Sequence, residues 1–348
     1  MVKWVSLPVV AGMLGGLAAA GIAAEVDRCF FRADSTTSTI LGLPDRNTVP
    51  VRAEIPAATS TPFRLEWIPG LDVTDSWATV AMAAATAAFQ DFDYLLPVAD
   101  PARILWADSF GTTAWTQTWQ VAADKDWGWS NLVRVAAPGE RFEAFLRASY
   151  PAHSCSPASS TDYGTPEGGG QFLATAGLPP ANALHLRYYV RFHTNFTFVK
   201  GGKLPGLFGG TNSFSGGAIP DGTNGFSVRY MWRTNGEGEA YAYLATSDLY
   251  GTEIGRGRWT FQPGVWHCLE QRVVLNTPGT DDGRLAVWVD GHMVVDERAL
   301  RFRTTDALRI RGIFFSTFFG GGDPSWATPH DTFADFAGFA LSSGYIGP

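Results

Sequence analysis

Residues 184–193 read Leu-His-Leu-Arg-Tyr-Tyr-Val-Arg-Phe-His, and this stretch shows the pattern that decides the fold. Apolar or aromatic side chains at even positions alternate with more polar side chains at odd positions. Successive side chains of a β-strand point to opposite faces, so the pattern predicts a strand with one buried face. Residues 226–233 repeat it, with Phe226, Val228, Tyr230 and Trp232 between polar or longer side chains.

Turn signals separate further strand-like runs. Residues 285–289 and 293–295 flank Asp290-Gly291, a pair typical of a tight hairpin. Residues 313–319 form a continuous apolar run that ends at three glycines, 320–322. Many short strands with few helices predict an all-β fold, a sandwich or jelly roll.

Composition agrees with this class. The 348 residues include 39 Gly, 14% are aromatic and only 17% are charged. Few charges with many aromatic and glycine residues suit strands and tight turns better than helix bundles. The formal net charge of −7 argues against a general binder of polyanions such as nucleic acids. An anionic ligand would therefore need a local cluster of cationic side chains.

The first 103 residues differ from the rest. Lys3 precedes an apolar run from Trp4 to Ala24, the layout of a secretory signal peptide over residues 1–24. An uncleaved membrane anchor is the alternative. We expect a secreted, extracellular protein with no membrane contact after cleavage. Residues 25–103, with a possible short helix over Ser76–Phe92, are interpreted as an N-terminal extension or linker of unknown role.

Three cysteines, Cys29, Cys155 and Cys268, cannot all pair within one chain. In an oxidising compartment, one disulfide bridge and one free thiol is the simple expectation, and the spacing leaves the pair open. No Cys/His spacing resembles a zinc site.

The Gly-rich segment at residues 200–210 reads Lys-Gly-Gly-Lys-Leu-Pro-Gly-Leu-Phe-Gly-Gly. It lacks the Gly-Lys-Ser/Thr ending of a phosphate loop. From Lys200 to Arg233 there are four basic residues and one acidic residue, Asp221, a local reversal of sign in an acidic chain. The alternatives are a cationic groove that a long substrate approaches closely and a solvated loop with ordinary surface lysines.

A predicted hairpin follows, and its register decides which side chains meet. A two-residue turn at Asn235-Gly236 would pair Arg229 with Ala242 and put Tyr241 and Tyr243 on the opposite face. A three-residue loop over residues 235–237 would pair Arg229 with Tyr243 and bring Arg229 and the tyrosines to one face. We favour the second register. In the alternative interpretation, the tyrosines only pack across the strands and Arg229 forms a surface salt bridge.

These side chains suit elimination from a uronic acid, in which the proton next to a carboxylate is removed. A cation must stabilise the charge that builds on the acid group, as Lys203 and Arg229 are able to do. A tyrosine is able to act as base or acid if nearby cations lower its pKa. The predicted catalytic residues are Lys203, Arg229, Tyr241 and Tyr243, and no metal or other cofactor is required. The predicted substrate-binding residues are Ser227, Lys200, Arg233 and Glu239.

Other sites are weaker candidates. Glu237 and Glu239 resemble the carboxylate pair of a glycoside hydrolase, but residues two apart on one strand seldom flank a bond from opposite sides. His267, on a predicted strand over residues 266–274, is more typical of a hydrogen-bonded sheet residue. Trp326 either stacks on a sugar or fills the core. A lectin on the same fold and a structural wall protein are the alternatives to an enzyme.

Ordered motifs along most of the chain resemble polysaccharide lyase family 14. They occupy residues 200–210, 225–229, 231–236, 239–243, 250–252, 255–257, 261–266, 271–273, 275–279 and 314–321. The resemblance covers roughly residues 104–346 and leaves residues 25–103 unexplained.

The resemblance implies a β-jelly roll sandwich with a substrate groove on one sheet, in a domain at residues 104–348. It implies a metal-independent lyase that leaves an unsaturated sugar and acts on an anionic polysaccharide. We also expect the protein to be a monomer. Poly-mannuronate alginate is the first substrate expected and glucuronan the second. The family's essential lysine, Ser-x-Arg pair and Tyr-x-Tyr pair match Lys203, Ser227, Arg229, Tyr241 and Tyr243.

Overall fold

The computed structural model describes residues 104–122, 126–212 and 214–348. The chain divides into two units, residues 1–98 and 99–348. In the first unit only the backbone of short strands is described, at Lys3–Val5, Phe30–Ala33, Ser38–Leu41, Val51–Ala53, Arg64–Trp67, Ala78–Ala81 and Gln90–Phe92.

Two predictions fall in this first unit. The helix predicted over Ser76–Phe92 is wrong at Ala78–Ala81 and Gln90–Phe92, which are strands. Its other residues, and the predicted signal peptide apart from Lys3–Val5, lie outside the described residues. Secretion therefore stays a prediction.

The second unit is built almost entirely from strands. They are β1 (Ile104–Asp108), β2 (Leu132–Ala136), β3 (Ala144–Tyr150), β4 (Gly170–Ala174), β5 (Ala183–Phe192), β6 (Gly201–Gly210), β7 (Gly225–Arg233), β8 (Gly238–Tyr243), β9 (Thr252–Ile254), β10 (Trp266–Val274), β11 (Gly283–Val289), β12 (His292–Leu300), β13 (Ile310–Phe319) and β14 (Thr332–Ser342). The helices are α1 (Trp115–Trp119) and α2 (Pro157–Tyr163), with 3₁₀ turns at Trp129–Asn131, Thr234–Gly236 and Pro324–Trp326.

Two antiparallel sheets face each other across one core. The larger sheet has the order β12-β11-β10-β5-β14-β3-β2, and β1 also pairs with β14. The smaller sheet has the order β4-β13-β6-β7-β8-β9. The jelly-roll sandwich predicted from the alternating runs is confirmed.

The period-two pattern explains which residues enter the core. The even positions of β5, from Leu184 to Phe192, are buried in the shared apolar cluster, as are Phe226, Val228, Tyr230 and Trp232 of β7. The opposite face of β7 therefore carries Ser227, Arg229, Met231 and Arg233 away from the core. The candidate functional residues described below lie on this face of the smaller sheet.

Other predictions concern a hairpin, the cysteines and membrane-spanning segments, all outside the candidate site. Val289 pairs with His292, and Asp290 and Gly291 have φ of 51° and 82°, which confirms the two-residue hairpin. Cys155 and Cys268 are buried and free, so neither takes part in the single disulfide that we expected, and Cys29 lies outside the described residues. In the part of the chain that is described, no helix has the length and apolar character needed to cross a membrane.

Candidate active site

The candidate site lies where β6, β7 and β8 run side by side in the smaller sheet. Lys203 is opposite Met231, and Met231 is opposite Glu239. In the next rows Arg229 is opposite Tyr241 and Ser227 is opposite Tyr243. The structure therefore brings the predicted cations and tyrosines to one face of one sheet.

The register predicted for this hairpin is wrong by two residues. Arg229 pairs with Tyr241, whereas we expected Tyr243. The loop comprises residues 234–236, with φ of 60° at Asn235 and 79° at Gly236, and the Arg233 amide donates to the Glu237 carbonyl at 2.6 Å. The expected loop and the observed loop both hold three residues. The slip is therefore an even number, and the side chains keep their common face.

Lys203 is half-buried at the centre of the site. Its Nζ lies 2.8 Å from the Met231 Sδ and 4.3 Å from the centre of the Tyr241 ring. Burial holds the pKa of Lys203 well below its usual value, and the positive charges of Arg229 and Arg233 lower it further. An amine of this kind loses its proton at a lower pH than an ordinary lysine. Lys203 is thus suited to accept a proton.

Arg229 is fully buried, and half of its guanidinium has no partner. Nη1 donates to the Ser316 Oγ at 3.0 Å, while Nε and Nη2 make no hydrogen bond among the described residues. The guanidinium carbon lies 4.8 Å from the centre of the Phe314 ring. Burial lowers the pKa of Arg229 to about 10. Nε and Nη2 form one edge of the guanidinium, the edge that grips a carboxylate with two parallel hydrogen bonds.

Tyr241 and Tyr243 pack edge to face, with ring centres 5.6 Å apart. The Tyr241 hydroxyl accepts from the Gly251 amide at 3.2 Å, and the Tyr243 hydroxyl accepts from the Gly217 amide at 3.1 Å. Burial raises the pKa of Tyr241, outweighing the opposite effect of Arg229. The expectation that nearby cations lower the pKa is wrong for Tyr241. In this closed site Tyr241 keeps its proton and is suited to donate it.

Residues 214–219, the cover segment, lie over these side chains. Phe214 and Ile219 pack with Met231, Tyr241 and Tyr243. Ser227 Oγ donates to the Phe214 carbonyl at 2.6 Å, so this hydroxyl holds the cover segment in place. Tyr241 is 8% exposed and Tyr243 2% exposed, so both side chains are closed off from solvent in this structure.

Arg233 and Glu239 bind each other instead of facing an open groove. The Arg233 Nη2 lies 2.7 Å from the Glu239 Oε1 and also contacts Glu253. Burial raises the pKa of Glu239 despite the contact with Arg233. The Arg233 charge is thus shared between two carboxylates. In this structure Arg233 therefore pairs with Glu239 and Glu253.

Lys200, the eighth predicted residue, stands apart from the others. Its side chain is exposed, and Nζ donates to the Ser325 Oγ at 2.6 Å beside Trp326.

The weaker candidates have structural partners. Glu237 pairs with Arg256 at 3.5 Å on the exposed surface, and Glu239 is buried against Arg233, so the two carboxylates do not form a pair around a cleft. His267 uses both ring nitrogens, with Asp290 at 2.8 Å and the Gln262 amide at 2.9 Å. Among residues 104–122, 126–212 and 214–348, no group of three or more His, Cys, Asp or Glu side chains is placed to hold a metal ion.

Several site residues were not predicted. Met231 shares the face of Ser227 and Arg229 by its spacing, and the period-two pattern was enough to find it. Ser316 comes from β13 and the Gly217 and Gly251 amides come from loops. Only the folded sheet brings these groups to β7, so no local pattern marks them.

The chain is similar to a known family and to solved structures of alginate lyases. A family model described as Polysaccharide lyase 14 matches residues 139–339. The PL-14 alginate lyase from the marine Aplysia kurodai is 32% identical, covers 68% of this chain and 98% of its own, and superposes with a TM-score of 0.59. A search of curated protein sequences gave no significant match.

Two further alginate lyases are more distant and share the fold. The enzyme vAL-1 from Chlorella virus is 22% identical, covers 69% of this chain and 99% of its own, and has a TM-score of 0.57. Aly36B is also 22% identical, covers 70% of this chain and 95% of its own, and has a TM-score of 0.56. With the family model spanning more than half of the sequence, this chain belongs to polysaccharide lyase family 14.

Proposed function

We propose that the protein cleaves an anionic uronic-acid polymer by β-elimination, with poly-mannuronate alginate as its first substrate and glucuronan as its second. The 32% identical relative from Aplysia kurodai is an alginate lyase. Double mutants of the more distant Aly36B bind an alginate trisaccharide and an alginate tetrasaccharide. These relatives support a polymer that carries one carboxylate on every sugar.

The free edge of Arg229 carries the proposal. A buried guanidinium with two unpaired nitrogens, Nε and Nη2, is costly unless a ligand pairs with them. A carboxylate satisfies both donors at once and gains a charge-assisted contact in a site shielded from water. As negative charge builds on the carboxylate during proton removal, this contact strengthens, which is the condition for catalysis.

Lys203 and Tyr241 each carry out one of the two proton transfers. Lys203, in its neutral form, takes the proton from the carbon next to the carboxylate. The electron pair left behind forms the carbon–carbon double bond, and the bond from the neighbouring carbon to the glycosidic oxygen breaks. Tyr241, which stays protonated, gives its proton to the leaving oxygen. Two groups whose surroundings move their pKa values apart are typical of an acid and base pair.

Substrate entry has to displace the cover segment. Phe214 packs against both tyrosines, its carbonyl accepts from the Ser227 hydroxyl, and the Gly217 amide donates to the Tyr243 hydroxyl. We propose that sugar hydroxyls replace the hydrogen bonds that Ser227 and Tyr243 now make to this segment. The protein then closes again over the bound sugar and excludes water.

Parallel assays on three polymers test the function. Purified protein is mixed with poly-mannuronate, poly-guluronate and glucuronan, and the ultraviolet absorbance of the unsaturated uronate is followed. A rise on poly-mannuronate that is lost in Lys203→Ala supports the proposal. Binding of the polymers without any rise would assign the protein to the lectin class instead.

A further inference from the structure

A second aromatic and cationic feature lies on the same face of the smaller sheet, beyond the residues already described. Trp326 belongs to the loop between β13 and β14, and its ring is partly exposed. The Lys200 Nζ lies 5.8 Å from the centre of this ring and donates to the Ser325 Oγ at 2.6 Å. Lys200 is thereby held within cation–π distance of the Trp326 ring while its side chain remains exposed to solvent.

The Trp326 ring packs against two glycines, Gly201 and Gly321. A Cβ atom on Gly321 would lie 2.2 Å from the Trp326 Cε2, which is closer than real atoms approach. A Cβ on Gly201 would lie 3.4 Å from the Trp326 Cζ3 and 3.2 Å from the Arg233 Cδ. The ring therefore lies over bare backbone at the beginning of β6, next to Arg233.

The position of Gly201 relates this ring to the catalytic row. Gly201 and Lys203 are two residues apart on β6, so they share a face and lie about 7 Å apart. Trp326 therefore extends the face that carries Lys203, Met231 and Glu239 by one further step. A polymer that lies along β6 with a sugar at Lys203 would place a neighbouring sugar near Trp326.

We propose that Trp326 and Lys200 form an accessory subsite for a uronate residue of the polymer, one step from the site of cleavage. The indole ring offers a flat apolar surface to the sugar, and the ammonium group pairs with its carboxylate. Asp323, the nearest carboxylate in this loop, accepts from the Ser325 amide at 2.8 Å and from the Ser325 hydroxyl, so it caps the 3₁₀ turn. This inference rests on the proposed function.

Kinetics on substrates of graded length test the subsite. Oligomannuronates of increasing length are cleaved by the wild type, Trp326→Ala, Trp326→Phe and Lys200→Ala. Trp326→Ala is expected to raise KM about tenfold for chains long enough to reach the subsite and to leave the shortest cleaved chain unchanged. Trp326→Phe keeps a ring and is expected to recover most of the affinity.

The contribution of the Lys200 charge is recognised by its dependence on salt concentration. Lys200→Ala is expected to raise KM about threefold at low ionic strength, and the difference should vanish in high salt because exposed charges are screened. Matched controls are Arg298→Ala, which removes an exposed charge on β12, and Phe142→Ala, which removes a ring that packs against Tyr189 of the larger sheet. Neither control is expected to change the dependence of KM on length.

Failure of the subsite is distinguishable from failure of the function. If the wild type cleaves but KM of Trp326→Ala matches the wild type at every length, the subsite is overturned and the lyase proposal stands. Oligomannuronate binding to Lys203→Ala, compared with Lys203→Ala/Trp326→Ala, makes the same comparison without turnover. Equal dissociation constants for long chains in the two proteins would also overturn the subsite.

Discussion

Lys203 and Met231 face each other across β6 and β7, and the ammonium nitrogen lies 2.8 Å from the thioether sulfur. A thioether is a weak acceptor, so it orients the amine without binding it as a carboxylate would. A stronger partner would hold the proton on Lys203. The site thus keeps the amine in place and leaves it able to lose its proton, which the proposed role as base requires.

Met231→Leu tests this contact, because leucine has a similar volume and no acceptor. We expect kcat/KM to fall about tenfold through loss of orientation, with a stability change of less than about 1.5 kcal/mol. Steady-state kinetics and thermal unfolding measure the two effects. Unchanged kinetics in a normally folded variant would mean that Met231 only fills space.

The pH profile follows from the three perturbed groups. Activity should rise with pH as Lys203 loses its proton, at a pH well below the usual lysine range, because burial lowers its pKa. Activity should then fall as Arg229 loses its charge, because burial lowers its pKa to about 10, while Tyr241 still holds its proton because burial raises its pKa. The dependence of kcat/KM on pH measures both limbs. A profile that falls steadily from neutral to alkaline pH would contradict these roles.

The buried cations should reduce stability. In the window between the lowered pKa of folded Lys203 and its usual value, the unfolded chain binds more protons, so stability rises with pH there. Lys203→Met removes the buried charge and is expected to raise the free energy of unfolding by about 1 kcal/mol at neutral pH. Denaturant unfolding at several pH values measures this. If the gain in the free energy of unfolding did not shrink as pH rises, its cause would not be removal of the Lys203 charge.

Hydrogen exchange tests the contacts of the tyrosines with the loops. Tyr243→Phe removes the acceptor of the Gly217 amide, and Tyr241→Phe removes the acceptor of the Gly251 amide. Each variant should speed exchange of its own glycine amide about fivefold or more and leave the other amide near the wild-type rate. The two variants are thus controls for each other. Equal acceleration of both amides would indicate general loosening of the loops.

The sequence was sufficient to predict the fold and the common face of Arg229 and the two tyrosines. Period-two alternation in β5 and β7 predicted strands and their buried faces, since the sheet repeats at the same period. The register of β7 against β8 was wrong, because a loop of three residues fits at 234–236 and at 235–237 and only backbone geometry at Asn235 selects one. The predicted common face of Arg229 and the tyrosines is still correct, because a register shift of two residues leaves each side chain on the same side of the sheet.

Burial and loop contacts were not predictable from the sequence. Ser227 was expected to orient a sugar or a water, yet its hydroxyl holds the Phe214 carbonyl in the closed site. Cations near Tyr241 were expected to lower its pKa, but desolvation by burial has the larger effect. Both outcomes depend on tertiary packing around β7 and β8.

Arg229 gives the most direct test of the central claim, that its free guanidinium edge binds the uronate carboxylate during cleavage. The measurement is kcat/KM on poly-mannuronate for the wild type and Arg229→Lys, which keeps the charge and loses the paired donors. The account predicts a fall of about 10²–10³ with the fold intact, the usual cost of removing a donor that stabilises the transition state. A folded Arg229→Lys variant that keeps kcat/KM within about threefold of the wild type would contradict it.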